Sequence, residues 1–220
     1  MEQTDIWSIN PSTSATFFKT AATVTGGTFP RALTLTNTDP VVAKEGAGYQ
    51  VIITSGADDS GITFTINGAI VGQLNTQGQV PMPALPEVIT GPDTTTATST
   101  YYYSRIDSIV ISGAATGTVA VGTTGDLALP RCRIKGFYVV GGAGAGSLKV
   151  NRFTWETTEG APSTVAPTNV ESLLDITTPA GATLTQFLSL PGQGILTGQQ
   201  QNDYAVVDDT AITDYTLFCG

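Results

Sequence analysis

The chain has 220 residues, of which 40% are hydrophobic and only 12% charged, and its formal net charge is −9. An acidic chain with nine Lys and Arg has no phosphate-binding footprint, so nucleic acid is excluded as a partner and an anionic membrane is disfavoured. With no His and two Cys, the commonest general base is missing and no four-ligand Cys/His zinc site can form.

The first residues, Met1 to Trp7, have no basic start and no apolar run, so they do not form a signal peptide. No stretch approaches the ~20 apolar residues of a membrane span. The chain is expected to be made in a cytosol and held there until it joins something else. Residues 1–22 are a polar lead-in carrying Trp7, Phe17 and Phe18. Such a segment either docks through its apolar anchors or forms a first edge strand on its own domain.

From Arg31 onward the apolar residues alternate with polar ones, the period of a half-buried strand. Leu33 and Leu35 form one set, Tyr49, Val51 and Ile53 a second, and Ile62, Phe64 and Ile66 a third. The segment Ser55 to Gly61 predicts a hairpin between the last two. Gly68 to Glu87 breaks the rhythm, and Pro81, Pro83 and Pro86 predict a long loop or extended arm, a natural contact element. The pattern resumes at Tyr101-Tyr102-Tyr103, then Ile109 and Ile111, a turn at 113–117, and Val119 and Val121, predicting a second hairpin ended by 122–125. The three Tyr serve either as a stacking platform for a sugar or as alternating core and surface rings.

Residues 125–130 mark a boundary. Beyond it, Cys132, Ile134, Tyr138 and Val140 are expected on one strand face, with Arg131, Arg133 and Lys135 on the other. Four of the nine basic residues lie between 131 and 149. That face either meets an acidic neighbour or protects a sheet edge. The glycines of 141–146 then predict a flexible hairpin turn. Residues 154–170 predict a polar loop, with strands near 173–176, 184–190, 195–197, 204–207 and 212–219. The last of these ties the end of the sequence into a sheet. No segment of ten residues carries a helical apolar stripe.

Constellations for chemistry are weak. The 141–146 run matches a dinucleotide fingerprint at Gly142 and Gly144, but position 147 is Ser and no helix follows to hold phosphates. Asp58-Asp59 and Asp208-Asp209 are adjacent acids of the kind that lie solvated in turns or bind calcium weakly, and two acids at the right separation run glycoside hydrolysis. A Ser or Cys nucleophile lacks a His base, and no Ser-x-x-Lys motif replaces it. Cys132 and Cys219 alternate with apolar neighbours and are expected in one core as thiols, not as a disulfide. No catalytic, cofactor-binding or metal-ligating residue is assigned, and no cofactor.

Two stretches carry a resemblance. Ala32 to Thr36, Gly48 to Gly68 and the continuation from Val88 to Gly122 resemble a β-module of virion proteins of tailed bacteriophages. Arg133 to Val139, Leu174 to Ala180, Leu190 to Leu196 and Tyr215 to Gly220 resemble a C-terminal module of such proteins. The Pro-rich insertion at 69–87 departs from the module. The resemblance covers roughly residues 30 to 220 and implies no catalytic residues.

Together these readings predict an all-β chain of two antiparallel β-sandwich domains, Ig-like or jelly-roll-like, with little or no helix. An N-terminal arm spans 1–22, a first domain 23–127 with the insertion 69–87, and a second, smaller domain 128–220. The expected role is non-enzymatic: a capsid decoration (cement) protein on the outer shell of a virion, bridging major capsid protein subunits, often as a trimer. Expected contacts are Trp7, Phe17, Phe18, Pro81, Pro83, Pro86, Arg131, Arg133 and Lys135. The alternatives are a tail or head–tail accessory and a carbohydrate-binding host-recognition module that uses Tyr101 to Tyr103.

Overall fold

Short alternating runs rich in Thr, Val and Ile suit a pleated, half-buried surface. The chain accordingly forms strands and, among the described residues, no helix. The structure is a computed structural model that describes residues 5–9, 14–37, 47–74, 81–83, 86–155, 167–180, 185–189, 194–199 and 203–219. The strands are β1 (Asp5–Ile9), β2 (Ser14–Thr23), β3 (Arg31–Ala32), β4 (Gly48–Ser55), β5 (Thr63–Leu74), β6 (Pro81–Pro83), β7 (Glu87–Thr90) and β8 (Thr96–Ile111). They continue with β9 (Thr118–Leu129), β10 (Arg133–Gly141), β11 (Gly146–Thr154), β12 (Thr168–Thr178), β13 (Thr185–Ser189), β14 (Ile195–Leu196), β15 (Asp203–Thr210) and β16 (Ile212–Cys219).

All named pairings are antiparallel. The smaller sheet runs β1-β16-β10-β13, with β14 also on β10. The larger runs β12-β11-β15-β9-β4-β8-β5-β6, with β2 on β9, β3 on β8 and β7 on β5. Strand order corrects both expected hairpins. Strand β8 lies between β4 and β5, and β4 lies between β8 and β9. The two predicted pairs are interleaved, because each strand finds its partner across the fold rather than across its own turn.

Strand β8 changes partner along its length. Thr96 to Tyr103 pair with β4, and Tyr103 to Ile111 pair with β5. A bulge at residues 99–101 bends the first half. Ser99 fills it: its Oγ accepts from Val51 N–H at 2.8 Å and donates to the Tyr101 carbonyl at 2.8 Å.

Two cores result. The first gathers Phe18, Val51, Ile53, Phe64, Ile66, Tyr103, Ile109, Val121, Trp155 and Tyr204. The second gathers Leu127, Leu129, Ile134, Phe137, Val139, Leu148, Val150, Val207, Tyr215 and Leu217. Strands β9 and β15 serve both. Leu127 and Leu129 enter the second core and Ala128 the first, while Ala205 and Val207 enter the second and Tyr204 and Val206 the first.

Several local readings are corrected. The glycine-rich 122–125 segment does not end a strand, since β9 continues to Leu129. Gly122 is needed there because a Cβ would collide with the Ser14 carbonyl of β2. Strand β5 continues to Leu74, so the expected loop from 68 begins as strand, and Pro81 and Pro83 sit in the edge strand β6, a place where a missing N–H is tolerated. Residues 75–80 and 84–85 lie outside the described residues. The glycines of 141–146 do not close a hairpin. They carry the chain from β10 in the smaller sheet to β11 in the larger one. Thr168 to Thr178 form one long strand, whereas the sequence predicts only 173–176, and residues 156–166 of the predicted loop lie outside the described residues. The strands predicted near 184–190, 195–197, 204–207 and 212–219 are present as β13 to β16.

The face of β10 differs from expectation after its first turn of pleat. Lys135 is the extra residue of a bulge between Ile134 and Gly136 opposite β16. One inserted residue moves every later side chain to the other face. Phe137 and Val139 therefore enter the core, and Tyr138 and Val140 share the half-buried outer face with Arg133.

Candidate functional site: a polar and aromatic row across the larger sheet

One row of polar side chains spans six strands, part of it set by register and part by a bulge and a ladder end that bring Asp126 between them. Gln50 on β4 pairs with Tyr102 on β8. Tyr49 pairs with Leu127 and Val51 with Thr123, so Gln50 lies opposite a bulge of β9 made by residues 124–126, which holds Asp126. Val207 pairs with Leu127 and that ladder stops there, so Asp126 and Asp208 are the next residues of the two strands where β9 and β15 part. Like charges directly opposite disfavour further pairing. Lys149 on β11 pairs with Asp208 and, on its other side, with Asp175 on β12, where its Nζ lies 3.9 Å from Oδ2.

The electrostatics agree with this row. Burial, then the charges of Asp208 and Asp209, pushes the Asp126 carboxyl up to about 6. Asp209 is raised by burial and then by Asp208. The Tyr102 hydroxyl is raised by burial first and then by the charges of Asp126 and Asp208.

An aromatic floor backs the Tyr102 end. Tyr204 and Trp155 are buried at 1% and 3% exposure and stack at 6.2 Å. Around them stand three half-buried rings: Phe153 stacks on Tyr204 at 5.6 Å, Tyr102 tilts against it at 6.3 Å, and Tyr101 lies 5.3 Å from Trp155. Trp155 Nε1–H donates to the Val71 carbonyl at 3.1 Å. Gly72, at φ +83°, lets the β5 backbone lie against both rings, since a Cβ would come within 2.7 Å of Tyr204 and 3.1 Å of Trp155. Tyr103 points into the first core instead, and its hydroxyl donates to Glu87 Oε2 at 2.8 Å. The run of three Tyr thus divides between core and rim.

The remaining candidates lie elsewhere. Phe18 is buried at 1% in the first core, edge to face with Phe17 at 5.0 Å, and so is a packing residue rather than a docking anchor. Its strand β2 pairs with β9, and β1 pairs with β16, with Trp7 opposite Leu217. The described parts of the lead-in, 5–9 and 14–22, are therefore edge strands on the protein itself. Pro86 and Arg131 are exposed, and Arg133 and Lys135 half-buried. Cys219 is in the second core, Cys132 packs against that core, and no disulfide joins them.

The acid pairs are not alike. Asp58 is exposed and accepts from the Ser60 N–H and hydroxyl at 3.0 and 2.6 Å, which lowers its pKa. Asp59 is buried at 3% and ties three loops together. It accepts from the Ser55 hydroxyl and the Thr116 N–H, each at 2.6 Å, while its own N–H donates to Pro92 O at 3.0 Å.

Sequence reasoning singled out Tyr101 to Tyr103 and Asp208-Asp209 but missed Gln50, Asp126, Phe153, Trp155 and Tyr204. No spacing could have joined them, because the row depends on β4 entering between β8 and β9. Comparison with protein-family models, with curated proteins and with solved structures finds no match for this chain.

Proposed function

We propose that this chain is a non-enzymatic structural protein of a tailed-phage particle, of the capsid decoration type. It binds the outer shell and bridges major capsid protein subunits, acting as a homo-oligomer such as a trimer. Two antiparallel sandwich units, 23–127 and 128–220, form its body, preceded by the segment 1–22.

The observation that carries this reading is how the chain is tied together. Strand β1 pairs with β16, the last described strand, and β9 and β15 give one face to each core. Pulling any element away breaks ladder hydrogen bonds and opens apolar surface. Such a body suits a protein that transmits force between neighbours. The resemblance of residues 32–36, 48–68, 88–122 and the later stretches to virion modules points the same way. Contacts with the shell are assigned to Phe17, Pro86, Arg131, Arg133 and Lys135, with Trp7, Pro81 and Pro83 on the flanking edge strands. The basic stretch on an acidic protein steers it to an acidic neighbour.

The test is decoration of purified shells. Wild-type protein should occupy the shell lattice in electron micrographs, at a copy number set by the lattice rather than by a single vertex. The triple variant R131E/R133E/K135E should lose most of that occupancy while keeping its circular dichroism spectrum. Undiminished occupancy would refute the contact assignment. Binding at one vertex or along the tail would replace decoration with a tail or head–tail role.

A further inference from the structure

We propose that the row from Tyr102 through Gln50 and Asp126 to Asp208 is a binding site for a neutral oligosaccharide laid across the strands. The site does not depend on where the protein sits in a particle, and it uses none of the residues assigned to shell contact.

Four observations converge on a sugar. First, the rings at one end offer partly exposed faces on a fixed base. Tyr101, Tyr102 and Phe153 are half-buried, and Tyr204 and Trp155 behind them are pinned by the Val71 carbonyl and by the close approach of Gly72. A pyranose presents an apolar face of C–H groups that packs on such rings, while Tyr keeps a polar tip for its hydroxyls. Second, the row beside the rings holds hydrogen-bonding groups at strand spacing. The Gln50 amide is oriented by Nε2–H donation to the Ser99 carbonyl at 2.9 Å, Asp126 lies in the β9 bulge opposite it, and Asp208 is the next residue of β15 past the end of the β9–β15 ladder. A few placed polar groups around an aromatic base are what fix ligand orientation.

Third, the charge selects among sugars. Asp126, Asp208 and Asp209 act on one another, and Lys149 at the far end already lies between Asp208 and Asp175. An anionic glycan is therefore repelled, and a neutral one is not. Fourth, the row is extended and runs perpendicular to the strands. From β8 to β12 it crosses five strand spacings, about 24 Å at ~4.8 Å each. That length fits a short linear chain of sugars better than a single ring.

The experiment uses the full chain on an array of glucose, galactose and N-acetylglucosamine oligomers of increasing length, with sialylated and sulfated glycans alongside. Hits are then measured by calorimetry. At least one neutral series should bind, its affinity rising with length up to about five units, the number of strand spacings in the row. Y102A should weaken that binding tenfold or more. D126N, which keeps shape and fold, should weaken it severalfold and leave the thermal midpoint no lower. R105A, on an exposed pair elsewhere on β8, should change nothing. The proposal is overturned if no neutral series binds, if D126N and Y102A both bind as wild type, or if only anionic glycans bind. A Lys/Arg-rich peptide that binds the row in preference to every neutral sugar would overturn it in favour of a protein partner.

Discussion

The two cores are closed in different ways. The first is enclosed by one sheet that turns at β8, and its interior is aromatic: Phe18, Phe64, Tyr103, Trp155 and Tyr204. The second lies between two sheets and is mainly aliphatic, with Phe137 and Tyr215 as its buried rings. Yet the two share strands, because β9 and β15 present alternate residues to each. A strand has two faces and a period of two, so one strand can serve two cores at no cost in length. The comparison teaches that coupling between the cores comes from shared backbone, and the polar row crosses those same shared strands at Asp126 and Asp208.

The largest expected effects test that coupling. Phe64→Ala in the first core and Leu217→Ala in the second remove fully buried side chains and should cost about 3–5 and 2–5 kcal/mol respectively. If the shared strands couple the cores, each variant shifts one common denaturation transition, seen alike by fluorescence and circular dichroism. Two transitions, each moved by only one variant, would break the comparison into two independent units.

Phe18→Ala should cost about 3–5 kcal/mol as a core truncation. A loss below about 0.5 kcal/mol, the range of ordinary surface substitutions, would return Phe18 to the list of docking anchors. Asp59→Ala comes next. It leaves the Ser55 hydroxyl and Thr116 N–H without their carboxylate, at about 2–3 kcal/mol, and proteolysis should then cut faster in the 55–62 and 112–117 loops. Asp58→Ala, beside it but exposed, should leave stability and proteolysis close to wild type.

Smaller than the core and Asp59 truncations is the pH dependence at the point where β9 and β15 part. Asp126 has its carboxyl raised from 3.8 to about 6 by burial and then by Asp208 and Asp209. The folded protein therefore holds a proton there that the unfolded chain has lost, and stability falls as pH rises from about 4 to about 6. Below that window the penalty is absent, and above it the penalty is complete. Because the group is partly solvated, screening reduces the effect to about 1 kcal/mol. Stability of D126N measured between pH 4 and pH 7 should lack this decline, and a D126N profile that still follows wild type would assign it to other groups.

Much of the first layer of structure was legible in the residues. Alternation at 49–54 and 62–66 marked strands correctly, because side-chain burial on a pleated sheet leaves a period of two in the sequence. Prolines and glycines misled at 68–74, 81–83 and 122–125. An edge position tolerates a missing N–H, and a crowded strand requires the missing Cβ at Gly122. The face of β10 was misread for a single residue, the bulge at Lys135, which no local propensity announces.

The sequence by itself determined that this chain is all-β, acidic and sparing in charge, since those properties follow from composition and local period. The tertiary structure alone decided that β4 and β8 interleave with β5 and β9, that β9 and β15 serve two cores, and that Tyr102, Gln50, Asp126 and Asp208 stand in one row. Strand order is set by pairings between residues dozens of positions apart. Those pairings depend on complementary faces meeting in space, and a local pattern records which residues face inward but not which strand they will meet.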